Sequence, residues 1–169
     1  MTKPLWQPSA DVIAAANLTR FMKEAGARWR RSLEDFAELR RWSVEHREEF
    51  WRSVWEFCGV VAEGPGERVL VDGDKMPGAM FFPDARLNFA ENLLRRRDPS
   101  DAIVFWAEDK VKRRLSHAQL YDAVSQMAQA FKADGVGIGD RVAGYLPNMP
   151  ETVIAMLATA SLGATWSSC

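Results

Sequence analysis

The feature that most constrains this chain is a change of hydrophobic period near Asp98-Pro99-Ser100. After it, short apolar runs alternate with helical patterns. Ala102–Ala107 is an apolar run rich in β-formers, which predicts a buried strand. Glu108-Asp109-Lys110 then turns the chain, so Lys112–Leu115 pairs back as a hairpin. Ser116 and Gln119 have the S-x-x-Q spacing of a capping box, and the helix they open carries Leu120, Val124, Met127, Ala128 and Phe131 on one stripe as far as Gly135. Arg141–Leu146 predicts the next strand. Pro150 suits the first turn of a helix over Glu151–Leu162, Gly163 stops that helix, and Ala164–Ser168 begins another strand. Strand and helix in alternation imply parallel βαβ units with right-handed crossovers, hence an α/β fold.

Residues before this point carry a different pattern. Ser32 and Asp35 together read as a helix start, with Leu33, Phe36 and Ala37 on one face. A second start is expected at Ser43, followed by Phe50, Trp51, Val54, Trp55 and Cys58 at steps of three and four, with Gly59 as the stop. Arg68–Val71 can form a short strand. Gly73, Pro77, Gly78 and Pro83 break up residues 72–89, which predicts an ordered connector, and a short helix follows around Asn88–Arg97. The expected organisation is a helical region over 1–98 and the start of an α/β domain over 99–169. The last helix is apolar nearly all round and a parallel sheet needs cover on both faces, so the expectation is the N-terminal piece of a longer protein.

Charge and composition exclude several classes. Lys plus Arg total 22 against 23 for Asp plus Glu, a net charge of −1, which does not suit a protein built to grip nucleic acid or anionic lipid. The longest apolar stretch, Val153–Trp166, is about 14 residues where a membrane span needs roughly 20. Two cysteines, Cys58 and Cys169, lie too far apart for the disulfide framework of a small secreted domain. The expectation is a cytoplasmic protein with no membrane or nucleic-acid partner.

No complete catalytic site emerges from the residues alone. The phosphate loop G-x-x-x-x-G-K-[ST], the G-x-S-x-G turn and the H-E-x-x-H pair are absent. His46 and His117 stand far apart without neighbouring cysteines, so neither a catalytic histidine nor a metal site is expected. Gly135-Val136-Gly137-Ile138-Gly139 follows a helix and enters a strand, the reverse of a dinucleotide fingerprint, and reads as a turn. Arg28-Trp29-Arg30-Arg31, Arg40-Arg41-Trp42, Arg95-Arg96-Arg97 and Lys112-Arg113-Arg114 read as solvated faces, and Trp51 and Trp55 as core. The competing reading is a stand-alone helical module whose Trp/Arg faces bind a partner or RNA.

Several segments resemble a known family. Leu115-Ser116-His117-Ala118-Gln119-Leu120 resembles the L-[TS]-Y-x-[EQ]-L motif of the AMP-forming adenylating enzymes, with His117 in place of the usual Tyr. Gly139-Asp140-Arg141-Val142, Tyr145-Leu146-Pro147-Asn148 and Ala158–Ser168 follow in that family's order. Trp6-Gln7-Pro8, Phe82–Leu94 and Ser161–Ser168 resemble the acetoacetate–CoA ligase family more than the acetyl-CoA synthetases, whose helical N-terminal extension it shares. The resemblance implies a parent that joins acetoacetate to CoA through an acyl-adenylate, using ATP, CoA and Mg²⁺. It also implies that the phosphate-gripping loop and the adenylation lysine lie outside this chain, so the chain alone is expected to be inactive and to bind no cofactor; with its sheet incomplete, it is also expected to self-associate through exposed core surface. By analogy Ser167 and Ser168 stand where the family approaches CoA, the competing reading being the end of a structural strand.

Overall fold

The computed structural model describes residues 4–108 and 110–168, so Cys169 and the central Asp109 of the expected turn lie outside the described residues. Two compact units are present. One comprises the chain up to Val60 with Gly64–Ala85, the other Val61–Glu63 with the chain from Arg86 onward.

The first unit is helical. Helices α1 (Ala10–Ala15), α2 (Asn17–Trp29), α3 (Phe36–Glu45) and α4 (Arg47–Phe57) succeed one another. The N-cap of α3 is Asp35, whose side chain accepts the Glu38 N–H at 2.8 Å. Ser32 donates instead to Glu34 and caps nothing, because Asp35 is the residue adjacent to the first helical turn. Ser43 likewise starts no helix. Its hydroxyl donates back to the Arg40 carbonyl at 2.8 Å inside α3, and the break falls at His46, with φ −125° and ψ 56°.

Phe21 and Ala25 of α2 meet Leu39 and Trp42 of α3, and Phe50, Val54 and Phe57 of α4 close the cluster. Phe21 lies edge-on to Phe57 at 5.2 Å and to Phe50 at 6.0 Å, geometries that the ring quadrupoles favour. Trp42 is the buried tryptophan here, 3% exposed. Trp51 and Trp55, expected in the core, instead meet Phe81 edge-on at 5.3 Å and Phe82 at a tilt at 4.5 Å, with Trp51 remaining 38% exposed. Their partners come from the connector, which holds a small antiparallel pair, β1 (Leu70–Val71) with β2 (Met80–Phe81). The second strand was not expected, since flanking glycines and prolines hide a two-residue pairing.

One carboxylate ties this unit together. Glu49 accepts from Arg31 Nε at 2.8 Å, Arg31 Nη2 at 3.1 Å and Trp42 Nε1 at 2.9 Å. The Arg31 hydrogen bond, foremost among these, holds the Glu49 carboxyl below its ordinary value.

The second unit carries α5 (Phe89–Leu93), β3 (Asp101–Ala107), β4 (Val111–Ser116), α6 (His117–Ala133), β5 (Arg141–Gly144), α7 (Pro150–Ser161) and β6 (Thr165–Ser168). The capping box forms as expected: Gln119 N–H donates to Ser116 Oγ at 3.1 Å, and Ser116 N–H to Gln119 Oε1 at 2.9 Å. Leu120 and Val124 of α6 pack with Ile154, Leu157 and Ala158 of α7 and Ala90 of α5. Each large aliphatic side chain buried this way contributes about 1.5–3 kcal/mol. Thr159, fully buried, satisfies its hydroxyl on the Ala155 carbonyl at 2.8 Å.

Strands β3 and β4 form an antiparallel hairpin, whereas β5 and β6 pair in parallel across α7. The unit thus holds one parallel βαβ unit, and the step from β4 through α6 to β5 joins separate two-stranded sheets. Three residues link β3 to β4, a connection short enough only for antiparallel pairing. The expected buried strand β3 is covered on one face only: Val104 is 49% and Trp106 64% exposed, while Ile103 and Leu115 on the other face pack toward the core. Among the described residues no helix is long and apolar enough to cross a membrane.

Candidate functional site

Two turns bring the carboxyl ends of β5 and β6 side by side. After α6, Gly135 takes φ +87° and Gly139 φ +85°, conformations that cost glycine little. The Asp140 side chain accepts the Gly137 N–H at 2.8 Å, so the glycine-rich segment is the helix-to-strand turn expected from its order. Gly139 N–H donates to Gly163 O at 3.2 Å, and Thr165 N–H to Asp140 O at 2.8 Å, which fixes where both strands begin.

The register then runs Arg141 to Thr165, Val142 to Trp166, Ala143 to Ser167 and Gly144 to Ser168. Gly144 has a packing reason: a Cβ there would lie 2.7 Å from Cζ2 of Trp166. Ser167 and Ser168 are exposed at the carboxyl edge, the side on which open α/β sheets bind ligands. Tyr145 follows β5 and is 92% exposed beside them.

The loop from β5 into α7 is held by Thr152, whose hydroxyl donates to Pro147 O at 2.7 Å and whose N–H donates to Met149 O at 3.0 Å. Pro150 occupies the first turn of α7 as expected. Glu151 beside it accepts from Arg113 of β4 at 2.6 Å. That guanidinium lowers the Glu151 carboxyl below its ordinary value, and the helix N-terminus favours the same charged form.

This edge presents two hydroxyls, main-chain groups and an aromatic ring. His46 accepts from Arg31 Nη2 at 3.2 Å in the helical unit, and His117 sits in the first turn of α6 with its main-chain N–H on Ser100 O. Among the described residues no group of three His, Cys, Asp or Glu side chains converges to hold a metal ion.

Several arginines and one tryptophan of the basic clusters have partners within the chain. Arg28 pairs with Glu56, Arg31 with Glu49, Arg113 with Glu151 and Arg114 with Asp101, while Trp29 Nε1 donates to Ser53 at 2.8 Å. Side chains engaged in this way are not open stacking platforms, and these contacts lend the RNA-module reading no support. Nothing in the local sequence singles out Arg113, Glu151 or Tyr145 for this edge. Only Asn88 carried a local signal, a capping residue immediately before a helix.

Comparison with known proteins gives concordant matches. Residues 36–93 match the family model described as acetyl-coenzyme A synthetase N-terminus, and residues 90–169 the model described as AMP-binding enzyme. The chain is 51% identical over 167 residues to an acetoacetyl-coenzyme A synthetase of Rhizobium meliloti, covering 99% of this chain and 26% of that protein. It is 33% identical to the malonamoyl-CoA synthetase vrtB of Penicillium aethiopicum, covering 97% and 23%. The solved acetoacetyl-CoA synthetase from Streptomyces lividans superimposes with a TM-score of 0.89 at 43% identity, over 99% of this chain and 26% of that one. The chain thus spans about a quarter of the length of the relatives it matches.

Proposed function

Since the chain belongs with the AMP-binding adenylating enzymes, we propose that it is the N-terminal part of an AMP-forming acid–CoA ligase acting on acetoacetate. The observation that carries this reading is the 51% identity to an acetoacetyl-coenzyme A synthetase, sustained over 99% of the chain. Acetoacetyl and malonamoyl groups, the acyl groups in the relatives' names, share a carbonyl at the 3-position, so the substrate class is a short 3-oxo carboxylate.

In the parent reaction the acid's carboxylate attacks the α-phosphate of ATP, and pyrophosphate leaves as the acyl-adenylate forms. The CoA thiol then attacks the acyl carbon, giving acetoacetyl-CoA and releasing AMP and a proton. This chain's share is structural and, at one edge, ligand-binding. Residues 1–98 form the helical N-terminal region and 99–169 the start of the AMP-binding domain. Ser167 and Ser168, exposed at the carboxyl edge of β6, stand beside the path of CoA. A Mg²⁺ ion accompanies ATP in the proposed parent reaction. The scarcity of cysteines suits a cytoplasmic enzyme of small-molecule substrates.

ATP–pyrophosphate exchange tests the assignment. The full-length protein is expected to exchange label in the presence of acetoacetate, and the 169-residue chain alone to exchange none. Exchange by the short chain, or a parent that activates acetate in preference to acetoacetate, would overturn the reading.

A further inference from the structure

Asn88 joins two elements through one side chain. Its Oδ1 accepts the Glu91 N–H at 3.2 Å and so caps α5. Its Nδ2 donates to the Ala160 carbonyl at 3.0 Å and reaches the Ser161 carbonyl at 3.4 Å, both at the far end of α7. An N–H on one side and carbonyls on the other leave the amide a single orientation.

The carbonyl that Asn88 holds also starts the next strand. Ala160 O accepts the Gly163 N–H at 3.1 Å, and Thr159 O accepts the Ala164 N–H at 3.2 Å. Gly163, at φ +73°, turns the chain into β6, and a Cβ on it would lie 2.9 Å from Cγ1 of Ile138. The turn leads directly into β6, whose pairing with β5 begins with Thr165 opposite Arg141. Ala90, fully buried two residues after Asn88, packs with Leu157 and Ala158, so α5 is a firm base for the clamp.

We infer that Asn88 is a positioning residue for the carboxyl edge of β6, holding Ser167 and Ser168 in register for the thiol substrate through the C-terminal carbonyls of α7. The inference rests on the proposed ligase function for its kinetic consequence only.

The test uses the full-length protein with Asn88→Asp and Asn88→Ser. Both replacements still cap α5. Aspartate cannot donate to Ala160 O, and serine is too short to reach it. Hydrogen exchange over residues 160–168 is expected to rise roughly tenfold in both variants, the shift one lost hydrogen bond supports, with residues 117–133 unchanged. KM for CoA is expected to rise by a similar factor, while acetoacetate-dependent ATP–pyrophosphate exchange stays within about twofold of wild type. Unchanged hydrogen exchange over 160–168, an effect confined to the charged variant, or an equal fall in both half-reactions would overturn the inference. Wild-type protein without acetoacetate-dependent exchange would sink the ligase reading instead, and the hydrogen-exchange measurement would still decide the role of Asn88.

Discussion

Asp98 illustrates how a short turn stabilises one exposed charge. Its Oδ1 accepts the Ser100 N–H at 2.9 Å and the Ser100 hydroxyl, and its Oδ2 accepts Arg96 Nε at 3.0 Å. These bonds, the Ser100 hydroxyl foremost, push the carboxyl from 3.8 down to about 2. A folded value below the unfolded one contributes stability above about pH 4, and that contribution disappears as pH falls from there through about 2. Ser100→Ala is expected to return the Asp98 carboxyl toward 3.8, read by carbon-detected NMR titration. A value left near 2 would refute the hydroxyl's role. The change of pattern at Asp98-Pro99-Ser100 was legible in the sequence because it shows within a short window. Trp42 was not, because its neighbours Arg40 and Arg41 mark a polar face, and only packing against Phe21 and Phe50 places the ring inside.

At the scale of elements, caps and glycines do most of the specifying. The capping box at Ser116, the left-handed glycines at 135 and 163 and the proline opening α7 bound their elements by interactions within a few residues. Gly144 differs, since its constraint is a ring on the partner strand. Gly144→Ala is expected to destabilise the protein by about 1–3 kcal/mol, because the added methyl overpacks Trp166. Chemical denaturation monitored by Trp fluorescence measures this, and an unchanged midpoint would mean the indole moves aside freely. The β3–β4 hairpin shows the complementary limit. Its apolar run predicts a strand, but its length and composition do not say whether one face or two will be covered.

The molecule as a whole has two cores, one aromatic among α2, α3 and α4, the other aliphatic among α5, α6 and α7. Large apolar side chains remain outside both, among them Trp106, Val104 and Tyr145. Surface of this kind associates in water, so the isolated 169-residue chain is expected to run larger than its 19.1 kDa monomer mass in light scattering at micromolar concentration. A sharp monomer peak would contradict that. The sequence by itself determined the helical first part, the capped α6, the β5–α7–β6 crossover and the family resemblance, since each is carried by periodicity, capping chemistry or motif order within short windows. Tertiary structure alone decided that Trp42 is buried while Trp51 leans on Phe81, that β3 keeps one face in water, and that Asn88 holds the end of α7. These outcomes depend on groups far apart along the chain, whose meeting is settled by how the elements pack.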